Sequence, residues 1–351
     1  MNFASDNVSA IHPKILEAIV EGNKGTDNSY GGDSSTAALK DRLKEVFEHD
    51  LVYYFASTGT ASNCLALSAF CPPYGTILCS DSAHILTDEC TAPSFFTGGG
   101  RLMHRSKSPS KFDPKLISET VNAAKGLHPH AGKPTVVSIA QTTELGQVYT
   151  LAELKEICDE AHKYGLKVHM DGARFANALV NLNCTPAEMS WKVGVDVLTF
   201  GATKNGGLLG ELIIFFNPSD AENFDFLHKR SGQLMSKTRF FAMQMLAYLK
   251  DDLWLELARH SNAMAKRLAD GVKDIPSVKP WLPLNTNEFF IIIPKELADK
   301  LYEKGVHFYD WDLSISLYRW VTSWQTTEQD VDDFVALIKT YSNFINKDIS
   351  R

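Results

Sequence analysis

The sequence of 351 residues lacks any uninterrupted apolar run of the roughly 18 residues that a membrane-spanning helix needs, so we do not expect an integral membrane protein. It also lacks a long run of lysine and arginine, and its net charge is −7, which argues against nucleic acid and anionic membranes as partners. The first residues have no basic patch followed by an apolar stretch, the pattern of a secretory signal peptide. These absences predict a globular protein of the cytoplasm.

Several common site motifs are missing as well. There is no HExxH zinc motif, no GxGxxG dinucleotide motif and no GxxxxGK[ST] phosphate loop, so neither a metal site nor a dinucleotide or ATP site is favoured. No CxxC pair occurs, which predicts free thiols in a reducing compartment, although a metal or redox site remains an alternative. The six cysteines concerned are Cys64, Cys71, Cys79, Cys90, Cys158 and Cys184.

Strand-like and helix-like segments alternate along the first two thirds of the chain, which predicts an α/β protein with a mostly parallel sheet. An apolar stripe after Ser34 and Ser35 predicts one helix, and Thr150 with Glu153 forms a capping box that opens another. Further helices are predicted over residues 61–70 and 174–181. The predicted strands cover residues 51–56, 76–80, 135–140, 167–170, 195–200 and 211–216.

The pattern changes after about residue 245. A long helix over residues 254–270 is followed by a proline-rich stretch and by a strand over residues 289–293, and residues 326–329 are expected to cap a closing helix. This predicts a smaller C-terminal α+β domain. The expected organisation is an N-terminal segment of residues 1–20, a large α/β domain of residues 21–245 and a small domain of residues 246–351.

Two of the predicted strands end in groups that could react. Asp171 directly follows the strand over residues 167–170, and Lys204 follows the strand over residues 195–200 and precedes Asn-Gly-Gly. Taken singly, Asp171 could cap a helix or pair with Arg174, and Lys204 could be a solvated loop residue. Ligands in open α/β sheets bind beyond the carboxyl ends of the strands. A lysine that forms a Schiff base and an acid that protonates a pyridine nitrogen are what pyridoxal phosphate (PLP) chemistry needs, so we expect this cofactor.

Two further segments could complete such a site. Residues 57–63 follow a strand and open a helix, where Gly59 and Thr60 would present backbone N–H groups to a phosphate; an ordinary helix cap is the alternative. His84 could be a core or capping histidine, or its imidazole could stack on a pyridine ring and transfer protons.

With these motifs assembled, the chain resembles the threonine aldolase family of fold-type-I PLP enzymes over nearly its whole length. The resemblance rests on short segments that recur in that family. They are Ser5–Asn7, Tyr30–Asp33, Thr58–Thr60, Ala83–His84, Asp171–Arg174, Phe200–Gly206, Gly232–Arg239 and Arg319 before Ser323–Trp324. It implies the aspartate aminotransferase fold, with a large sheet domain and a small C-terminal domain.

The resemblance also implies roles for individual residues. Lys204 would carry the cofactor, Asp171 would pair with its ring nitrogen and His84 would stack on the ring. Gly59 and Thr60 would bind the phosphate, while the substrate carboxylate would be surrounded by Ser5, Arg174 and Arg319. Tyr30 and Arg239 would be contributed by a neighbouring subunit, so a homotetramer, or at least a dimer, is implied.

The implied reaction cleaves L-threonine or L-allo-threonine to glycine and an aldehyde. The alternatives are a phenylserine aldolase, another fold-type-I PLP lyase such as a β-eliminating enzyme, or a non-catalytic α/β binding protein with a surface lysine at position 204. One departure from the family is Gln141–Gly146, where many relatives have Thr-His-Asn. The base that takes the substrate hydroxyl proton is therefore open between His84, His128 or His130, Glu144 and a bound water. The lysine that contacts the phosphate in relatives is replaced by Gly232, and Lys237 is a candidate substitute.

Overall fold

The computed structural model of the chain describes residues 1–349, with side chains as far as residue 343. Its strands are β1 (Val52–Ala56), β2 (Gly75–Cys79), β3 (Arg101–His104), β4 (Lys133–Ala140), β5 (Lys167–Gly172), β6 (Val197–Gly201), β7 (Glu211–Phe215), β8 (Lys279–Pro280), β9 (Glu288–Ile292), β10 (Tyr309–Asp312) and β11 (Leu317–Val321). Its helices are α1 (Pro13–Gly22), α2 (Ser34–Phe47), α3 (Gly59–Phe70), α4 (His84–Thr87), α5 (Ala92–Phe96), α6 (Lys115–Gly126), α7 (Leu151–Lys163), α8 (Phe175–Leu182), α9 (Phe224–Arg230), α10 (Arg239–Leu249), α11 (Leu253–Val272), α12 (Lys295–Glu303) and α13 (Glu328–Ile349).

The larger sheet has the strand order β1-β7-β6-β5-β4-β2-β3. Strands β2 to β6 run parallel to one another, while β7 is antiparallel to both β6 and β1. The inner strands β2, β6 and β7 are buried along their whole length, as expected of a sheet covered on both faces. This is the mostly parallel sheet predicted from the sequence.

The smaller sheet is antiparallel and has the order β10-β11-β9-β8. Its core contains Phe289, Trp320 and Phe334, so α13 covers one face of the sheet. The N-terminal residues belong to this unit, because the Phe3 N–H donates to His307 O at 2.7 Å and the Val321 N–H donates to Phe3 O at 2.8 Å.

Helix α11 connects the two hydrophobic cores. Trp254 and Leu257 in its first half are part of the core under the large sheet, whereas Leu268 and Val272 in its second half are part of the small-sheet core. The predicted division after residue 245 falls inside α10 and stays a prediction. None of the helices in the described residues is long and apolar enough to cross a membrane.

The local sequence signals explain where helices begin, with one correction. Thr150 and Glu153 form the predicted reciprocal capping box of α7, and Leu39, Leu43 and Phe47 form the buried stripe of α2. The closing helix uses a different cap from the one expected over residues 326–329. There the Asp330 N–H donates to Thr327 Oγ1 at 3.0 Å and Asp330 Oδ2 accepts from the Thr327 N–H at 3.0 Å, because the helix begins two residues later than residue 326.

Candidate active site

A cavity of about 320 Å³ opens where β4, β5 and β6 end. In the register of these neighbours, Ala140 lies beside Asp171 and Gly172 lies beside Phe200, so polar residues at three strand ends meet at one edge of the sheet. Among the residues that line the cavity are Ser5, His84, Asp171, Arg174, Lys204 and Arg319, six of those singled out in the sequence. The small sheet closes the other side with Tyr309, Asp310 and Trp311.

Asp171 is held by two donors. Its Oδ1 accepts from the Ala173 N–H at 2.9 Å, and its Oδ2 accepts from Asn63 Nδ2 at 2.7 Å. Burial by itself would raise the pKa of Asp171, but the Ala173 N–H, the nearby charge of Lys204 and the Asn63 amide together lower it below its usual value. Asp171 is therefore an ionised carboxylate inside the protein.

A chain of hydrogen bonds connects this carboxylate to His84. Asn63 Nδ2 also donates to Glu89 Oε1 at 2.9 Å, and the same oxygen lies 2.9 Å from His84 Nδ1. The bond to the buried Glu89 carboxylate is the main reason that the pKa of His84 is raised, although burial opposes it. Nδ1 therefore carries the proton, and the ring is fixed by a bond at one nitrogen only.

Lys204 lies in a short 3₁₀ turn, Thr203–Asn205, just after β6. The next residue anchors the turn, because Asn205 Nδ2 donates to the Tyr248 hydroxyl and to Trp254 O, both at 2.8 Å. Burial and the positive charge of Arg174 lower the pKa of Lys204. The amine is thus more easily deprotonated than a surface lysine, which is what a nucleophilic lysine requires.

Arg174 and Arg319 lie with two buried carboxylates. Arg174 makes a two-pronged ion pair with Asp6, with Nε to Oδ2 at 2.7 Å and Nη2 to Oδ1 at 2.9 Å, and its Nη1 lies 3.1 Å from Glu288 Oε2. Arg319 is less fully paired, since Nη1 is 3.6 Å from Glu288 Oε1 and Nε has no hydrogen-bond partner in the described part of the chain. The free donor on a buried guanidinium makes Arg319 the better anchor for an added carboxylate.

The first turn of α3 approaches the cavity from the side of Asp171. Thr58 caps this helix through its hydroxyl, which accepts from the Ala61 N–H at 3.1 Å. Gly59 and Thr60 occupy the first two helical positions, where backbone N–H groups have no partner within the helix. A Cβ placed on Gly59 would meet no atom within 4 Å, so a side chain there would enter open space. Neither Gly59 nor Thr60 is among the residues that line the cavity.

Tyr30 and Arg239 do not line the cavity of their own chain. Tyr30 is exposed, its N–H donates to Ser236 O at 2.9 Å, and Lys229 lies over its ring. Arg239 begins α10 and stacks on Phe240. The two residues therefore lie in neighbouring segments, and neither is among the residues that line the cavity with Lys204.

The structure places two candidate histidines away from the cavity and leaves the candidate Lys237 on the surface. His128 and His130 are exposed and precede β4, so they lie at the opposite end of that strand from the cavity. Lys237 is exposed, next to the segment that carries Arg239.

Several site residues escaped the sequence analysis. Asn63 lies one helical turn after Gly59, and that spacing could have indicated it. Glu89 follows His84 by five residues, but only the short helix α4 turns its carboxylate back to the ring. Glu288 opens β9 in the small unit, more than a hundred residues from Arg174, and no local pattern points to it.

Comparison with known proteins agrees with this arrangement. The family model described as beta-eliminating lyase matches residues 2–294. The chain is 43% identical over 337 residues to the low specificity L-threonine aldolase of Pseudomonas aeruginosa, covering 96% of both chains, and 26% identical over 314 residues to that of Saccharomyces cerevisiae, covering 87% of this chain and 77% of the relative. A solved structure of Leishmania major threonine aldolase superposes with a TM-score of 0.90 at 29% identity, covering 97% of this chain and 99% of that one.

Both the sequence relatives and the superposed structure extend over almost the full chain, so the similarity includes the large sheet, the small sheet and the cavity between them. The chain therefore belongs to the beta-eliminating lyase family and, within it, to the threonine aldolases.

Proposed function

We propose that the chain uses pyridoxal phosphate to cleave the Cα–Cβ bond of L-β-hydroxy-α-amino acids, with L-threonine and L-allo-threonine as the first candidates, to glycine and an aldehyde. The relatives described above carry the name of this activity. The observation that carries the proposal is one cavity that contains an amine of lowered pKa, Lys204, and an ionised buried acid, Asp171, at the ends of adjacent strands.

The residues present fit this cofactor. Lys204 would be its covalent attachment point and Asp171 would face its pyridine nitrogen. The start of α3 at Gly59 and Thr60 suits a phosphate, because the N-terminus of a helix favours anions. His84, fixed by Glu89 through Nδ1, offers a ring face for stacking. When bound, the cofactor supplies an electron sink for the bond that breaks.

The chain's own residues would orient the substrate. Arg319, with its unpaired Nε, would bind the amino acid carboxylate, and Ser5 lies in the same cavity. Arg174 is already engaged by Asp6, so its part would be to hold that carboxylate and to add positive charge beside the substrate. Fixing the carboxylate sets the direction of the Cα–Cβ bond, and correct orientation of this kind removes a large part of a reaction barrier.

We also propose that the site is shared between subunits of a homo-oligomer, a tetramer or at least a dimer. Tyr30 and Arg239 lie on exposed segments away from their own cavity, which suits residues contributed to a neighbouring site.

The six cysteines are free thiols, four of them buried, as is usual for proteins of the cytoplasm.

A phenylserine-type substrate is a second candidate. Tyr309 and Trp311 line the cavity and are both partly exposed, and Arg319 lies 5.1 Å and 5.3 Å from their ring centres. Aromatic walls of this kind would also accept an aromatic group on Cβ.

The test is chemical trapping together with product analysis. Borohydride treatment of the protein loaded with PLP, followed by peptide mass spectrometry, should place the cofactor on Lys204, and L-threonine or L-allo-threonine should release acetaldehyde to a coupled alcohol dehydrogenase. Lys204→Ala should abolish both signals, whereas Lys115→Ala, an exposed lysine on α6, should abolish neither. Asp171→Ala should lose most of the turnover even when cofactor is bound.

The products separate the remaining alternatives. Benzaldehyde from phenylserine with no acetaldehyde from threonine would favour the second candidate. Pyruvate and ammonia in place of an aldehyde would show β-elimination and contradict the proposal. A protein that cannot be labelled with PLP at any lysine would contradict it at the level of the cofactor.

A further inference from the structure

The buried carboxyl group of Glu144 is not used by any of the roles described so far. Glu144 lies in the loop between β4 and α7 and lines the cavity together with Lys204, His84 and Asp171. Its Oε1 accepts a hydrogen bond from the backbone N–H of His84 at 2.8 Å. Its Oε2 is buried and has no hydrogen-bond partner in the described residues. A buried oxygen without a partner is costly, so one in the wall of a ligand cavity indicates a partner that the ligand supplies.

The loop that carries Glu144 is held in one position. Gln141 bonds to both backbone groups of Tyr149, at 2.9 Å and 3.0 Å, and the Thr143 N–H donates to Gln147 O at 2.8 Å. Thr142 Oγ1, from the same loop, is also buried without a partner and also lines the cavity. Two buried oxygens without a partner thus lie on one hydrogen-bonded loop in the wall of the cavity.

We infer that Glu144 is the catalytic residue that takes the proton of the substrate β-hydroxyl, with Thr142 beside it as a hydrogen-bond partner of the same hydroxyl. This inference rests on the proposed function, since it assigns a role at the same site. Glu144 lies in the segment Gln141–Gly146, where this chain lacks the histidine of many relatives. His128 and His130, the other candidates on the chain, lie at the opposite end of β4.

The step is balanced without any further reactant. The hydroxyl proton moves to Oε2 of Glu144, and the O–H electron pair becomes the second bond of the aldehyde carbonyl. The Cα–Cβ bond breaks, its electron pair goes to Cα, and a proton added there completes glycine. Glu144 then returns its proton to solvent, so the numbers of protons taken and given are equal.

The acidity of the group suits this task. Burial raises the pKa of Glu144 to about 7, although the His84 N–H opposes the shift. The other groups around it are Asp171, whose charge raises this pKa, and His84, whose charge lowers it; Lys204 and Asp88 line the same cavity. The nearby Cys79 thiol, with a pKa raised to about 12, and the Tyr149 hydroxyl, also raised, stay neutral in this range. A base whose pKa lies near the working pH is the most effective kind.

His84 is a weaker candidate for the same role. Its Nδ1 is tied to Glu89, and that bond raises its pKa, so a larger fraction of the ring is protonated and unable to accept a proton. Glu144, by contrast, lines the cavity, has one oxygen without a hydrogen-bond partner, and has no cation bonded to that oxygen within the described part of the chain.

Glu144→Gln tests the inference, with Glu156→Gln, an exposed carboxylate on α7, as the matched control. We expect Glu144→Gln to lower aldehyde release about 10²–10⁴-fold, the usual contribution of a general base. Exchange of the glycine Cα proton with deuterated water needs Lys204 and Asp171 but no hydroxyl base, so it should fall far less. The acid limb of kcat/KM near pH 7 should vanish in Glu144→Gln and persist in His84→Phe.

Two further measurements test the same inference, the first of them without any turnover. Burial also raises the pKa of Glu211 to about 7, so infrared difference spectra over the pH range should show two carboxyl signals that titrate near pH 7 in the unmodified protein and in Glu156→Gln. In Glu144→Gln one of the two should be missing. Formate should partly restore aldehyde release to Glu144→Ala. That variant leaves space for a small carboxylate and also guards against a misfolded glutamine variant.

The outcomes distinguish the inference from the proposed function. Aldehyde release by Glu144→Gln at the level of Glu156→Gln, or an acid limb lost in His84→Phe and kept in Glu144→Gln, would overturn the role of Glu144. Equal losses of aldehyde release and glycine exchange in Glu144→Gln would also overturn it, since they would show a structural part. A natural chain that neither releases aldehyde nor exchanges glycine would contradict the proposed function itself.

Discussion

Replacing Asn63 by alanine should change the acidity of Asp171 without touching the acid itself. The single side-chain amide of Asn63 donates to Asp171 Oδ2 at 2.7 Å and to Glu89 Oε1 at 2.9 Å, both inside the protein. Loss of a hydrogen bond to an ionised group costs about 1.5–3 kcal/mol. At about 1.36 kcal/mol per pKa unit, Asn63→Ala should raise the pKa of Asp171 by about one to two units.

The sign of the effect on stability follows from linkage. The folded-state pKa of Asp171 lies below its usual value, so its ionisation stabilises the fold above that usual value and the contribution is lost as the pH falls through the folded-state pKa. Without the Asn63 amide, this loss begins at higher pH. The acid limbs of thermal stability and of aldehyde release should therefore both move upward by about one to two pH units.

Melting temperatures of the cofactor-free protein from neutral pH into the acid range, together with aldehyde release by the loaded protein, would measure both limbs. Asn177→Ala is the matched control, because Asn177 is a buried asparagine whose Nδ2 donates only to neutral acceptors, Ser261 Oγ at 2.9 Å and Asn262 Oδ1 at 3.0 Å. It should lower stability with no shift of the limb. Coincident acid limbs for Asn63→Ala and the unmodified chain would refute the reasoning.

Three further predictions concern separate regions. Gly59→Ala should leave the melting temperature of the cofactor-free protein unchanged, because its Cβ meets open space, but should weaken PLP binding about tenfold, or ~1.4 kcal/mol, in a fluorescence titration. Thr327→Ala should cost about 1 kcal/mol in denaturant unfolding by removing the cap of α13, and Gln329→Ala should cost only about 0.2–0.5 kcal/mol. A hydrogen bond to Asp196 raises the pKa of His162. The pair therefore stabilises the fold fully when the pH is below the pKa of His162 in the unfolded chain, about 6.5, and this stabilisation is lost as the pH rises through the pKa in the folded protein. His162→Asn should flatten the melting temperature over that range.

Each of these has a contrary outcome. A lower melting temperature in Gly59→Ala would show that the space before α3 is needed by the fold. Equal losses of unfolding free energy in Thr327→Ala and Gln329→Ala would favour the cap over residues 326–329 that the sequence predicted. A pH dependence of melting in His162→Asn that matches the unmodified chain would show that solvent already screens the half-exposed pair.

Residues close in sequence were the easiest to interpret. The capping box of α7, the buried stripe of α2 and the strands that end at Asp171 and Lys204 all follow from patterns within a dozen residues, and the structure has these elements. No local pattern indicates that β7 is antiparallel or that β1 lies at the edge of the sheet. Strand pairing is set by contacts between residues that are far apart in the sequence.

The site divides in the same way. Lys204, Asp171 and His84 are chemically distinctive and follow strands, so the sequence alone indicated them, and the resemblance to a family suggested their roles. The sequence left four candidates for the proton acceptor, and only the folded chain narrows this set. It carries His128 and His130 to the far end of β4 and leaves one buried oxygen of Glu144 without a partner in the wall of the cavity.

What the sequence by itself determined is the alternation of strands and helices around the site, the family and the reactive groups, since these depend on local periodicity and on residue type. The tertiary structure alone decided which charges are already paired. Arg174 is paired with Asp6, which lies 168 positions before it in the chain, and with Glu288, which lies in the small sheet. Arg319, by contrast, keeps a donor without a partner in the described residues. Burial and pairing set both the pKa of a group and its availability to a ligand, and they arise only when distant segments come together.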